Sequence, residues 1–319
     1  MSRRDRSTQP LAIVESVPRP RPTAALQRRL GLALRSRVAG DDAPERAKRI
    51  WGAEGERWFT PEDPIWRINQ DASMFPGGIA ALLLQSLHPS AMAGVAGHSG
   101  YKGDPWGRLQ RTSHYLAVTT FGTVEDAEQA IAHVRSVHRR VRGKDELGHR
   151  YAADDPHLLR WVHVAEIWSF LNAFQAYAAE PLTAAEADLY VEQTGRAATL
   201  LGATDLPTTV AGLDEVIAGY RPELRATKAA MEATRFMLLN PPVPLAARPG
   251  YALIAAGGVA LLPSWARREL RLPVHGAGLA VASRAGGWST ALVRWGMAGL
   301  ADRAPGDDAG DDDTVEESA

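Results

Sequence analysis

The chain has no cysteine among its 319 residues. This absence excludes disulfide bonds, thiolate zinc sites, iron–sulfur clusters and any haem iron held by a cysteine, because each of these needs sulfur ligands. Any metal or cofactor must therefore be bound through nitrogen or oxygen atoms.

Several common signatures are also missing. The sequence has no P-loop, G-x-G-x-x-G, G-x-S-x-G or H-E-x-x-H motif, so it lacks the usual signs of phosphate binding, dinucleotide binding, serine hydrolysis and zinc proteolysis. No apolar run reaches the length of about 18 residues that a membrane-spanning helix needs. The basic segment SRRDRST near the N-terminus is not followed by an apolar stretch, which predicts a cytoplasmic protein. A formal net charge of −1 argues against a nucleic-acid partner.

What is present favours one large helical domain. With 45% hydrophobic and 23% charged residues, the chain is able to bury a sizeable core. We expect an all-α fold with a single globular domain over 25–302, a disordered basic arm at 1–24 and a disordered acidic tail at 303–319. No segment has a convincing strand pattern. In the apolar stretch 251–262, the pair Gly257-Gly258 predicts a point of close helix packing.

A helix is predicted over residues 123–142. Thr123 provides an N-cap three residues before Asp126, and Gly143 follows where a left-handed residue is wanted. An apolar stripe runs along this helix, and His138 lies within it, whereas His133 lies outside it. The stripe consists of Ala127, Ala130, Ile131, Val134, Val137 and Val141. An inward histidine has three interpretations, which are a hydrogen-bonded core residue, a general base, or a single ligand to a large cofactor.

Two further histidines lie on apolar segments. A second buried helix is predicted after the Asp-Asp-Pro sequence at 154–156, and His163 lies on its inward face, so it rivals His138 as a ligand. His88 ends an apolar helix that Pro89 should kink or break. It is either a core histidine bonded to a carbonyl that the proline frees, or part of the wall of a cofactor pocket.

The sequence Arg108-x-x-Arg111-Thr112, followed by the histidine helix ending in HRRVRG, resembles the haem-dependent oxygenase family of latex-clearing proteins (rubber oxygenases) and MpaB-type oxygenases. The resemblance extends over about residues 64–295 and includes IWRINQDASMFPGGIAALLLQSLHPSAMAGVAGHS, YAADDPHLLRWVHV and LLPSWARREL. It implies haem b with His138 as the axial ligand. It also implies that Arg108, Arg111 and Thr112 line the oxygen-binding side as catalytic residues, with Arg108 touching the cofactor.

Two positions depart from the family. Rubber-cleaving members carry lysine where Arg111 stands, and an arginine, unlike a lysine, cannot lose its proton and bind iron. Those members are also thought to use a carboxylate on the segment before the arginine–threonine cluster, yet no Asp or Glu occurs between Asp71 and Asp104.

The resulting hypothesis is a haem b-dependent oxygenase that uses dioxygen to cleave or oxygenate an apolar, alkene-containing or isoprenoid-like substrate. The alternatives are a haem protein of another class, such as a peroxidase, dehydratase or isomerase, and a non-catalytic protein that binds apolar ligands. Segment 276–301 carries Trp288 and Trp295 on one side. It predicts either packing on the body or on a second copy of the chain, or peripheral contact with a membrane.

Overall fold

The computed structural model describes residues 22–40, 42–98, 100, 103–273 and 275–301. Within those ranges the chain forms 14 α-helices, which confirms the all-α prediction. The first seven are α1 (Pro22–Ala39), α2 (Ala43–Gly52), α3 (Pro64–Gln70), α4 (Met74–Gln85), α5 (Pro89–His98), α6 (Pro105–Phe121) and α7 (Val124–His138). The others are α8 (Pro156–Tyr177), α9 (Ala184–Leu201), α10 (Val210–Tyr220), α11 (Lys228–Leu239), α12 (Arg248–Leu261), α13 (Ser264–Glu269) and α14 (Ala277–Ala301). Short 3-10 segments occupy Arg221–Glu223 and Leu245–Ala247.

The helix predicted over 123–142 is shorter than expected. Its N-cap is confirmed, because the Thr123 hydroxyl accepts a hydrogen bond from the Asp126 amide at 3.2 Å. The predicted C-terminal end of this helix is wrong, because α7 stops at His138. The chain then forms strand β1 (Arg142–Lys144), which pairs antiparallel with β2 (Arg150–Ala152). Gly143 is therefore a strand residue, and a side chain there would collide with the Tyr151 ring, whose oxygen lies 2.8 Å from the Cβ position.

The predicted apolar stripe on α7 is also narrower than expected. Only Ala127 and Ile131 are buried on this helix, and Val137 is exposed. The stripe weakens toward His138 because the chain leaves the helix there and turns into the β1–β2 hairpin.

The core is centred on the packing of α4 against α8. Pro89 does break the apolar segment after His88, as predicted, and α4 and α5 meet there at 108°. The largest fully buried side chains include Trp161, Tyr190, Ile68, Leu83, Leu84, Leu87 and Val164. Trp161 holds the two helices in register by donating an indole hydrogen bond to the Gln85 carbonyl at 3.2 Å.

The C-terminal helix α14 packs on α12 and α1. The predicted close contact on α12 is confirmed, because a Cβ on Gly257 would lie 2.5 Å from the Cα of Gly286 in α14. One face of α14 remains uncovered within the described chain, with Trp288 80% exposed and Val281, Leu292 and Trp295 also accessible. Contact of this face with a membrane or a second copy of the chain stays a prediction.

No single helix in the described ranges has both the length and the apolar character to cross a membrane. The bent pair α4–α5 meets both criteria only when its two members are taken together. The predictions of disorder concern residues 1–24 and 303–319, of which 1–21 and 303–319 lie outside the described residues. Helix α1 begins at Pro22.

Candidate active site

The arginine–threonine cluster lies on the N-terminal half of α6. This helix begins after Asp104, whose carboxylate accepts a hydrogen bond from the Gly107 amide at 2.8 Å. Arg108, Arg111 and Thr112 share one face, because residues three and four positions apart are neighbours on a helix. The Arg111 side chain is 65% exposed and lies 3.3 Å from the Asp104 carboxylate. This end of the face is therefore open to solvent.

The Arg108 side chain is half-buried, whereas Thr112 is exposed. The Thr112 hydroxyl donates to the Arg108 carbonyl at 3.1 Å, which leaves its oxygen able to accept a hydrogen bond from another group. On this face of α6, the Arg108 side chain is therefore partly covered by the fold, whereas the Thr112 side chain is accessible to solvent.

The same face of α6 reaches the interior at Tyr115, one turn after Arg111. Burial raises the pKa of the Tyr115 phenol, and the nearby carboxylate of Glu166 raises it further. Tyr190 on α9 is fully buried, and its pKa is raised by burial and by the same carboxylate. Helices α6, α8 and α9 therefore direct polar side chains at one interior region.

Glu166 was not predicted as a site residue. It lies on α8, and burial raises the pKa of its carboxyl to about 7, although a hydrogen bond from Gln85 opposes this effect. Its side chain is partly accessible, and desolvation is nevertheless the largest effect on its pKa. A carboxyl group that titrates near neutral pH inside a protein is able both to give and to take a proton.

His163 lies one turn before Glu166 on α8. Burial lowers the pKa of its imidazole to about 4, so the ring is neutral at physiological pH. Its Nε2 atom is buried and has no hydrogen-bond partner in the part of the chain that the structure describes. A neutral imidazole with a free, buried nitrogen is the form that binds a metal.

His138 is the last residue of α7 and is half-buried. Burial lowers the pKa of its imidazole, and the nearby Asp154 carboxylate opposes that shift. Its Nδ1 atom is buried and makes no hydrogen bond to any described residue. His133, which was predicted to point away, is exposed. His138 and His163 each offer a buried ring nitrogen without a partner among the described residues. Both nitrogens fit a cofactor whose metal takes nitrogen ligands.

His88 lies on neither α6 nor α7. It occupies the break between α4 and α5, is 7% exposed, and its ring is close to those of His157, Trp161 and Tyr220. Desolvation lowers the pKa of its imidazole, and the carboxylate of Glu223 opposes this shift. The His88 Nε2 atom lies 3.4 Å from Glu223, yet the geometry is not that of a hydrogen bond.

His157 and Glu223 were not predicted as site residues. The His157 Nε2 atom lies 3.0 Å from each Glu223 carboxylate oxygen, and the Tyr220 hydroxyl donates to the His157 carbonyl at 2.7 Å. The two residues come from the start of α8 and from the 3-10 segment after α10. No periodic pattern along the sequence indicates that these segments meet.

The comparisons with known proteins agree with the resemblance. A family model described as "ER-bound oxygenase mpaB/B'/Rubber oxygenase, catalytic domain" matches residues 66–295. No curated protein and no solved structure matches the chain. The matched segment runs from α3 to α14 and includes α6, α7 and α8.

Proposed function

Because the chain belongs to the MpaB/rubber oxygenase catalytic-domain family, we propose that it is a haem b-dependent oxygenase acting on an apolar substrate. Family membership supports the class of reaction. The observation that carries the cofactor proposal is the pair of inward histidines, His138 and His163, each of which has a buried ring nitrogen without a partner among the described residues.

In this proposal His138 would hold the haem iron. The resemblance favours His138, since a family histidine on this helix binds the iron, and its unpartnered Nδ1 and lowered pKa are consistent with a neutral ligand. His163 is the rival ligand, because it is the more strongly desolvated of the two rings. When bound, haem b supplies an iron centre that takes up and activates dioxygen.

The face of α6 would provide positive charge and hydrogen bonds beside the cofactor. Guanidinium groups of Arg108 and Arg111 are suited to anionic propionates or to negative charge that develops on oxygen. Arg111 would have to exchange its exposed contact with Asp104 for this purpose, and such an exposed ion pair costs little to break. The Thr112 hydroxyl would offer its acceptor oxygen at the border of the interior.

Glu166 would act as the proton-carrying group of the site. The family carboxylate before the arginine–threonine cluster has no counterpart between Asp71 and Asp104, whereas Glu166 supplies a carboxyl from α8. With a pKa near 7, its carboxyl oxygen would hold or release a proton at physiological pH. The aliphatic and aromatic core around α8 would surround an apolar, alkene-containing or isoprenoid-like substrate and exclude water from it.

The visible spectrum of the purified protein tests the cofactor and its ligand. We expect a Soret band in protein from haem-replete cells, and dioxygen consumption when an isoprenoid substrate is added. His138→Ala should deplete haem or give the spectrum of a weakly ligated iron, whereas His133→Ala, which changes an exposed histidine on the same helix, should alter neither.

His163→Ala is the decisive comparison. It should perturb the spectrum without removing the axial ligand. Loss of haem in His163→Ala with normal haem in His138→Ala would move the ligand to α8. A colourless protein would support a binding protein without haem. Haem without substrate-dependent dioxygen uptake would support a haem enzyme of another class.

A further inference from the structure

Three polar groups from distant segments converge beside the break between α4 and α5. His88 lies at that break, His157 at the start of α8, and Glu223 in the 3-10 segment after α10. One nitrogen from each histidine and one carboxylate oxygen all lie within 4.8 Å of one another. They border a cleft of about 410 Å³.

The Tyr220 hydroxyl contacts His157 on the side of the ring that faces away from Glu223. It donates its proton to the His157 carbonyl at 2.7 Å, and its oxygen lies 3.3 Å from His157 Nδ1, where it is able to accept a hydrogen bond from that nitrogen. In the tautomer that carries its proton on Nδ1, the Nε2 atom has a lone pair, and it faces both carboxylate oxygens of Glu223 at 3.0 Å.

Two electron-rich groups that face each other need a positive charge between them. A proton on His157 Nε2 would satisfy that pair alone. It would leave His88 unsatisfied, because both of its ring nitrogens are buried and neither has a hydrogen-bond partner in the described ranges. Its Nε2 atom nevertheless lies 3.4 Å from the same carboxylate. A single cation coordinated by all three residues would give a partner to one nitrogen of each histidine and to the Glu223 carboxylate.

From this convergence we propose that His88, His157 and Glu223 bind one divalent transition-metal ion. Metal–ligand distances of about 2.0–2.1 Å place neighbouring ligand atoms about 2.8–3.4 Å apart for right-angled to tetrahedral arrangements. The observed separations from Glu223 are 3.0 Å to His157 and 3.4 Å to His88. The His157 side chain is 54% exposed and borders the cleft, so an ion is able to reach its ring from solvent.

The donor set determines the class of ion. Two imidazoles and one carboxylate suit Zn²⁺ or Fe²⁺, whereas Ca²⁺ and Mg²⁺ prefer oxygen ligands alone. Three protein ligands leave one or more positions open, and these positions face the cleft. Tyr220 has the role of an outer partner, because it fixes the ring of His157. The site does not depend on haem, since none of its residues belongs to the arginine–threonine face or is a proposed iron ligand.

Zinc binding tests the proposal directly. The full-length, haem-loaded protein is treated with a chelator, and Zn²⁺ is then titrated at pH 7.5 by calorimetry, with metal content measured after gel filtration. We expect one Zn²⁺ per chain and a rise in Tm on binding. His157→Ala and Glu223→Gln should each weaken Zn²⁺ binding roughly 100-fold or more, and Tyr220→Phe roughly 10- to 100-fold.

His149→Ala is the matched control. This histidine borders the same cleft, is 71% exposed, and lies beside Asp145 rather than within the three-residue group. The His149→Ala variant should bind Zn²⁺ with the affinity of the wild type. The proposal is overturned if the wild type binds no Zn²⁺, which would leave a protonated His157 as the partner of Glu223. It is also overturned if His157→Ala and Glu223→Gln retain wild-type affinity. Circular dichroism and the Soret band, recorded for each variant, separate loss of the ion from loss of the fold or haem.

Discussion

At the scale of single residues, the interior of α8 combines two titratable groups whose pKa values move in opposite directions. Desolvation is the common cause, since it disfavours the charged form of both a carboxylic acid and an imidazole. It raises the pKa of Glu166 to about 7 and lowers that of His163 to about 4. Both side chains are therefore largely neutral just below pH 7, and the helix carries an acid beside a potential ligand.

Glu166 should make the folded protein less stable as the pH rises from mildly acidic to neutral values. Its folded pKa of about 7 lies above the ordinary value of 4.5, so the folded state holds this proton more tightly than the unfolded state does. The contribution of Glu166 to the free energy of unfolding is fully present below about pH 4.5, and it is lost as the pH rises to about 7. Glu166→Gln removes the charge but keeps the shape. It should therefore raise the free energy of unfolding at pH 8 by on the order of 3 kcal/mol.

Urea denaturation of wild type and variant at pH 4.5 and pH 8, at equal haem content, measures this effect. The gain should vanish at the lower pH. Glu192→Gln, which changes an exposed carboxyl on α9, is the control and should behave as the wild type at both pH values. A gain from Glu166→Gln that is equal at both pH values would contradict the assignment of the pH effect to this carboxyl.

The inward position of Glu166 could have been predicted from the sequence, but the convergence of the three proposed metal ligands could not. Glu166 lies on the inward stripe of α8, three residues after His163, and a carboxylate within an apolar stripe is itself a signal. His157 and Glu223 are 66 residues apart, and their meeting depends on how α8 and α10 pack. Such a contact is a property of the tertiary fold, which periodicity within one helix does not encode.

At the scale of secondary-structure elements, local signals predicted helix starts better than helix ends. Helix α9 begins with a capping box that the Thr183-x-x-Glu186 spacing encodes, and the Glu186 carboxylate accepts a hydrogen bond from the Thr183 amide at 2.8 Å. The end of α7 was misjudged because Gly143 has two possible uses. The sequence pattern favours a left-handed cap at Gly143, whereas the structure uses its lack of a side chain to admit the Tyr151 ring.

The crossing of α12 and α14 gives a prediction at this scale. A Cβ on Gly286 would lie 2.6 Å from both the Gly257 Cα and the Tyr177 oxygen, so the backbones must separate to admit it. Gly286→Ala should therefore lower the free energy of unfolding by about 1–3 kcal/mol. Gly287→Ala is the control on the same helix, because its nearest neighbour, the Tyr177 ring, is 3.9 Å away.

Denaturant titration of the two variants compares them. Gly287→Ala should be neutral or stabilise by about 0.5–1 kcal/mol, since alanine favours helix. Equal losses in both variants would show that helix flexibility, rather than the close crossing, is what glycine provides there.

At the scale of the whole molecule, one ion pair connects three distant parts of the chain. Arg294 on α14 donates two hydrogen bonds to the Asp71 carboxylate, at 2.9 and 3.0 Å, and a third to the Tyr177 carbonyl at 3.1 Å. Asp71 lies between α3 and α4, and Tyr177 ends α8. The C-terminal helix is thus attached by directed bonds to the helices that form the core and bear His163 and Glu166.

The contribution of this ion pair to the packing of α14 should be lost at low pH. Burial opposes ionisation of Asp71, but hydrogen bonds from Arg294 and Ser73 outweigh it, so the pKa of the carboxyl lies below its ordinary value of 3.8. A lowered folded pKa contributes stability that is present above about pH 3.8 and is lost as the pH falls through the folded value. Asp71→Asn should therefore cost about 1–3 kcal/mol at pH 7, and less as the pH approaches 3.

A double-mutant cycle of Asp71→Asn and Arg294→Gln, followed by urea unfolding at pH 7, separates the pair from its surroundings. We expect the double variant to lose much less than the sum of the single losses, because each single change leaves the other partner half-buried without its bond. Asp42→Asn, which breaks an exposed contact with Arg46 within one element, is the control and should change stability little. Strict additivity would mean that α14 is held by the Gly257–Gly286 crossing and its apolar contacts, with no net contribution from the ion pair.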